Sequence, residues 1–297
     1  MPRRILDPLC GQSPLQRFCN GIPLFSALIL AFGTAGAAQT PFGPNAQPPS
    51  ESSSIALPDA PLPQAADAAQ AKPDDKDTVT LSGTPVRFLK DQEAIWTSPF
   101  RIRSHNLPVL VPIVLATTVA ITADHQAMSS ARLNDTSLNN HANTASNGLL
   151  GGFVVAPVLI YGLGHIHHDY HATETGILAG EAMVDGLVVG EVLKAVSLRE
   201  RPMIDGAKGK FFQTSAGFNS SFPSDHSILA WSSATVIASE YTGPLTQITA
   251  YGLATGVSLT RVIGRQHFPS DVIVGSAVGW LIGRYIVHKH HKDIDKY

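Results

Sequence analysis

Six apolar segments divide the chain between residues 107 and 288, at 107–123, 149–164, 177–196, 227–239, 245–260 and 272–287. They are longer than typical strands, and no alternation of β-branched with polar residues runs between them. The fold class is therefore all-α, a six-helix bundle. Several segments sit at the lower limit for crossing a bilayer, which takes about 20 residues and at least about 17. The third carries Glu181, Asp185 and Glu191, and carboxylates facing lipid are expensive. Those acids point into the bundle, or the bundle is not wholly embedded. Either way the helices are membrane-embedded or membrane-associated, in keeping with 44% hydrophobic against 15% charged residues.

The chain ahead of the bundle divides by composition. Residues 1–38 have the form of a signal peptide or anchor: Arg3, Arg4 and Arg17, the apolar run IPLFSALILAF, then small residues around Ala35 and Ala37. Cys10 and Cys19 both lie in it, so a processed chain would hold no disulfide, thiolate metal site or catalytic cysteine. Residues 39–82, rich in Pro, Ala and Ser, lack apolar periodicity and are expected to form a disordered linker. Residues 83–106 mix aromatic and basic side chains, as a segment lying along an interface or capping the bundle would. The bundle is assigned to 107–288, with a His/Lys-rich tail at 289–297. A formal charge of −2 gives none of the basic surplus that nucleic-acid binding requires.

The tetrapeptide FPSD occurs twice, at 222–225 and 268–271, with His226 after the first copy and His267 before the second. Pro suits a first helical turn, and an acid there favours the helix dipole. Both copies therefore read as helix starts, ahead of the fourth and sixth apolar segments. The third segment ends in LKAVSLRERP, which places Lys194, Arg199 and Arg201 at its C-terminal end. The fifth runs into TRVIGRQHFPSD, with Arg261, Arg265, His267 and Asp271. In an up-and-down bundle the 3–4 and 5–6 connections fall at the same end, so these residues meet at one mouth.

Fixed cations and helix N-termini bind phosphate, and phosphoryl transfer needs mainly positioning and charge neutralisation. Of two histidines, one can attack phosphorus while the other protonates the leaving oxygen. A carboxylate four residues after the attacking histidine is placed to hold its other ring nitrogen. The set describes a metal-independent phosphatase site that needs no cofactor.

The stretches Lys194 to Pro202 (K-x6-RP), Pro223 to His226 (PSDH) and Arg261 to Asp271 (R-x5-H-x3-D) resemble the three signature motifs of type 2 phosphatidic acid phosphatases, in order and in spacing. That PAP2 superfamily also includes bacterial class A acid phosphatases and vanadium haloperoxidases. The resemblance is close over 195–270 and extends to the six-helix bundle. It implies that His267 is the nucleophile forming a phosphohistidine, that Asp271 orients it, and that His226 is the general acid. It further implies that Lys194, Arg201, Arg261 and Ser224 hold the phosphate, helped by a backbone amide after Ser224. Two positions depart from the pattern: Asp225 stands where Gly is commoner, and Thr260 where Ser is usual. Asp225, a secondary site residue, is expected to point away from the phosphate or to touch His226. The PSDH form is similar to that of bacterial undecaprenyl-diphosphate phosphatases.

The implied function is hydrolysis of a phosphomonoester or diphosphate, lipid-linked and of the phosphatidate or undecaprenyl-diphosphate class. The expected partners are that phosphorylated lipid or a small phosphoester, and membrane lipid. The expected location is the cell envelope, in the inner membrane with the site facing the periplasm, or in the periplasm itself. The alternatives are a soluble periplasmic acid phosphatase, a vanadium-dependent haloperoxidase, and a non-catalytic bundle that binds anionic lipid. Singly, each residue has an ordinary role: Lys194 and Arg201 suit a helix C-terminus, and Asp271 a first turn. Joint placement favours catalysis. Arg199 and Arg265 lie outside the motif positions and are expected in supporting or surface roles. The histidines His165, His167, His168 and His171 have ligand-like spacing, but they follow the second segment, opposite the motifs, and are expected to be compositional.

Overall fold

The computed structural model describes residues 79–290. The expected signal or anchor, the linker up to residue 78 and the tail from residue 291 lie outside the described residues. Among the described residues there are α-helices and short 3₁₀ turns and no strand. The helices are α1 (Thr84–Thr97), α2 (Leu107–Met128), α3 (Thr136–His167), α4 (Tyr170–Ser197), α5 (Asp225–Glu240), α6 (Pro244–Ile263) and α7 (Pro269–His290). Each of the six apolar segments falls inside one of α2 to α7. Among the described residues, three helices are long and apolar enough to cross a membrane: α2 with its preceding turn, α3 and α7.

Helix ends follow local chemistry. The Asp135 side chain accepts from the amides of Ser137 and Leu138, at 2.8 and 3.3 Å, and so starts α3 thirteen residues before its apolar run. That polar first stretch carries Asn143 to the C-terminal end of α6 and Asn147 to the start of α5. Asp169 caps α4 through the Ala172 amide, and α4 stops at Leu198 in the left-handed conformation. Both FPSD copies open helices, α5 and α7, as their sequence predicts.

α5 is the central helix, in contact with α3, α4, α6 and α7. Its Ala230, Ala234 and Ala238 pack on Ala250, Ala254 and Val257 of α6 and on Phe153 of α3. Against α7 the approach is closer still. A Cβ at Gly275, Gly279 or Gly283 would come within 2.4–2.7 Å of the α5 carbonyl oxygens of Ser224, Ile228 and Ser232. This small-residue stripe, one helical turn between members, lets the two backbones touch and gain dispersion energy without large side chains. It also fixes the start of α5 against the start of α7, where the two FPSD copies lie.

The acids of α4 are mostly turned inward. Glu181 holds the Arg87 guanidinium of α1 at 2.5–3.1 Å, and Asp185 accepts from Gln92 at 2.8 Å. Asp91 of α1 is fully buried and receives Lys289, His290 and Tyr285 of α7. Glu191 is the exception, with half of its side chain exposed near the other end of α4. These pairs seat α1 on α4 and α7, while Leu89 and Phe100 remain 67% and 91% exposed.

Candidate active site

The site lies where α4 ends, α5 begins, α6 ends and α7 begins. Backbone and side-chain bonds close this end. Ser224 N donates to Asp271 O at 3.1 Å, Ser197 Oγ donates to Phe222 O at 2.7 Å, and Ser221 N donates to Arg199 O at 2.9 Å.

His267 is 2% exposed. Its Nδ1 lies 2.6 Å from the Ser221 carbonyl oxygen. A carbonyl only accepts, so Nδ1 carries the proton and Nε2 of the neutral ring keeps its lone pair. Burial holds this histidine well below its ordinary pKa, and the positive fields of Arg261, Arg201 and Lys194 lower it further. It is therefore neutral near pH 7.

The expected contact between Asp271 and His267 takes a different form. The Asp271 carboxylate is 3.8 Å from His267 Nδ1, beyond hydrogen-bond reach. Its Oδ1 is held by Arg199 Nη1 at 2.5 Å, and its Oδ2 by Ser221 Oγ and Phe268 N at 2.9 and 2.8 Å. With those lone pairs occupied, the nearer Ser221 carbonyl takes the ring proton. Asp271 reaches His267 through Ser221.

His226 opens α5 with its Nε2 3.1 Å from Asn147 Oδ1 of α3. Burial lowers its pKa to about 4, and Arg261, Lys194 and Arg201 add to the shift. Both histidines lie in the field of the same three cations. Arg261 is 7% exposed, and its Nε is buried without a hydrogen-bond partner among the described residues. Arg201 donates to Asn219 O at 3.1 Å and Gln266 Oε1 at 2.9 Å. Ser224 is fully buried, its Oγ 3.3 Å from Ser227 Oγ.

Asp225 neither turns away nor meets His226. It pairs with Lys194, which also has Glu191 at 3.4 Å. The reason is placement: Asp225 starts α5 beside the last turn of α4, where a buried ammonium needs a carboxylate.

Sequence reasoning missed the centre of the network. Arg199, expected to support the site or lie on the surface, is 2% exposed, bound to Asp124 and Asp271, with the Phe211 and Phe268 rings 4.6 and 4.2 Å away. Asp124, directly after the first apolar segment, was the available signal: a lone acid on an apolar helix demands a buried partner. Arg265 ties Met128 O, Asn134 and Pro202 O together at the loop crossing. The His165–His171 group is dispersed: His165 stacks on Tyr161, and His171 pairs with Glu240 at 3.2 Å. Among the described residues, no three His, Cys, Asp or Glu side chains are grouped to hold a metal ion.

Residues 175–295 match the sequence profile of the PAP2 superfamily. A stretch of 65 residues, 21% of this chain, is 35% identical to a lipid A 1-phosphatase of Porphyromonas gingivalis; the match spans 15% of that relative's length. Among solved structures, the chain is similar to a transmembrane PAP2 type phosphatidylglycerolphosphate phosphatase from Bacillus subtilis. The identity is 19% and the TM-score 0.42, over 73% of this chain and 98% of that one.

Proposed function

From the match of residues 175–295, which carry both histidines and all three cations of the site, to the PAP2 superfamily profile, we propose that this protein is a lipid phosphatase of that superfamily working through a phosphohistidine. One observation carries the reading. Two neutral histidines, His267 buried and His226 half-buried, share one space with Lys194, Arg201 and Arg261, and among the described residues the Arg261 Nε has no partner. Such a pocket is short of an anion.

A phosphoryl group bound between the three cations meets His267 Nε2. The Nε2 lone pair attacks phosphorus, the bond to the leaving oxygen breaks, and His226 supplies that oxygen with a proton. Water then attacks the phosphohistidine. His226, now neutral, takes the water's proton, the P–N bond breaks, and phosphate leaves. The bound anion raises the pKa of His226 above its value of about 4 in the empty pocket, so the acid becomes charged when substrate arrives. Lys194, Arg201 and Arg261 neutralise the equatorial oxygens throughout.

The substrate class is a phosphomonoester or diphosphate on a lipid. Val114, Leu115 and Val119 of α2 and Val158 of α3 are 60–67% exposed on helices long enough to cross a bilayer, which supports a membrane setting. The inner membrane of the cell envelope, with the site facing the periplasm, fits such a substrate. α1 and the end of α7 meet at Asp91, about 30 Å from the site along α7 at 1.5 Å per residue. A reporter fused after Tyr297 therefore stays cytoplasmic if the site faces out, and export of that reporter would contradict this orientation.

The activity is tested by phosphate release from phosphatidate, undecaprenyl diphosphate and an aryl phosphate, in detergent with excess chelator. Turnover that disappears in His267→Asn supports the reading. Absence of turnover with all three substrates in the wild type overturns it.

A further inference from the structure

We propose that Asp124, on the outer helix α2, is a positioning residue for His267, acting through Arg199 and Asp271; the inference rests on the phosphatase reading above. Almost all of α2 faces outward. Ala120, Asp124 and Met128 are its buried residues, and one of the three is a carboxylate. A buried carboxylate on an apolar helix is costly unless it is fully paired, and Asp124 is. Its Oδ2 accepts from Arg199 Nη2 at 2.7 Å and Ser270 Oγ at 2.5 Å, and its Oδ1 from Ser270 N at 3.1 Å.

From Asp124 a continuous series of short contacts leads to the nucleophile. Arg199 uses one arm of its fork for Asp124 and the other for Asp271 and Ser270 Oγ, at 2.5 and 2.7 Å. Asp271 then grips Ser221 Oγ and Phe268 N. Ser221 presents its carbonyl to His267 Nδ1, and Phe268 is the residue after His267. Asp124, Arg199, Ser221, His267, Phe268, Ser270 and Asp271 are each at most 2% exposed.

The guanidinium plane is itself fixed. Phe211 and Phe268 flank it, and Gly209 O accepts from its Nε at 3.2 Å. Gly209 sits at φ +59°, and a Cβ there would lie 2.6 Å from the Phe268 ring and 3.0 Å from Arg199 Nη2. Only a planar fork serves two carboxylates at once in this slot; an ammonium cannot. Asp124 sets where Arg199 lies, Arg199 sets Asp271, and Asp271 sets the carbonyl that points Nε2 at phosphorus.

The test uses the full chain in detergent, with Asp124→Asn, Arg199→Lys and Ser270→Ala, an aryl phosphate, and sulfate as a competing anion. Asp124→Asn lowers kcat about 10²-fold, the usual cost of misplacing a reacting atom by about 1 Å. KM and sulfate inhibition stay near wild type because Lys194, Arg201 and Arg261 are untouched. Arg199→Lys does not restore turnover. NMR of histidine-labelled protein shows a slowly exchanging Nδ1–H for wild-type His267 and loses it in Asp124→Asn.

If Asp124→Asn does not fold, Ser270→Ala carries the test, with kcat down at least about tenfold for the two buried hydrogen bonds that Ser270 Oγ makes with Arg199 and Asp124 and Tm lowered by only a few degrees. Normal kcat with an unchanged Nδ1–H signal overturns the proposal, as does an equal loss of sulfate binding and kcat. The NMR readout does not depend on turnover. A wild type without activity whose signal still vanishes in Asp124→Asn removes the phosphatase reading and keeps the positioning role.

Discussion

His267 Nδ1 is 2.6 Å from the carbonyl oxygen of Ser221 and 3.8 Å from the Asp271 carboxylate. The ring is thus set by a backbone group, and the carboxylate acts one step behind it. Removing the Ser221 hydroxyl keeps the carbonyl, whereas neutralising Asp271 leaves half of the buried Arg199 fork without its charge. Ser221→Ala is expected to cost about 1 kcal/mol of stability, and Asp271→Asn about 3 kcal/mol or more. Thermal unfolding of the two variants in one detergent checks the order; equal losses would count against it.

Anion binding and protonation are linked. In the empty pocket His226 titrates at about 4. A bound dianion favours the charged ring, so the bound pKa is higher and binding takes up a proton. Sulfate affinity therefore rises as pH falls below the bound pKa and levels off near 4. Above the bound pKa it is flat. Sulfate does not itself titrate in this range. His226→Asn removes the part of the slope that ends near 4; a slope unchanged in that variant contradicts the assignment.

As the acid for the leaving oxygen, His226 matters most where that oxygen is basic. His226→Asn is expected to slow hydrolysis of an alkyl phosphate, as in a lipid, about 10²–10⁴-fold. An aryl phosphate with a good leaving group loses far less. Equal losses on both substrates would falsify the acid role.

Asp225 is paired with Lys194, so it competes with an incoming phosphoryl group for that ammonium. Asp225→Asn should tighten sulfate or phosphate inhibition about tenfold, or about 1.4 kcal/mol. Weaker inhibition would mean that Asp225 holds Lys194 in place for the anion.

The helices α2 to α7 were legible because length and apolarity alone demand them. α1 was not, since its residues mix basic, acidic and apolar side chains without a clean stripe, and its place depends on Glu181, Asp185 and Lys289 far along the chain. The polar first half of α3 was hidden for a similar reason: Asp135 was its one local cue. The convergence of His226, His267, Lys194, Arg201 and Arg261 followed from motif order and bundle topology. Partner choice did not. Arg199 finds Asp124 across 75 positions and Asp271 across 72, and the orienting carbonyl of Ser221 has no side-chain identity for a sequence to show.

The central claim is that His267 carries the phosphoryl group. The most direct measurement mixes wild-type protein with an aryl phosphate and quenches it within milliseconds into alkaline denaturant, which preserves a P–N bond. The peptide spanning His267 is then weighed. One added phosphoryl group is expected on that histidine, accumulating most when the second step is slow and absent from His267→Asn. Turnover with that peptide unmodified at every quench time, or with the phosphoryl group on another residue, would contradict it.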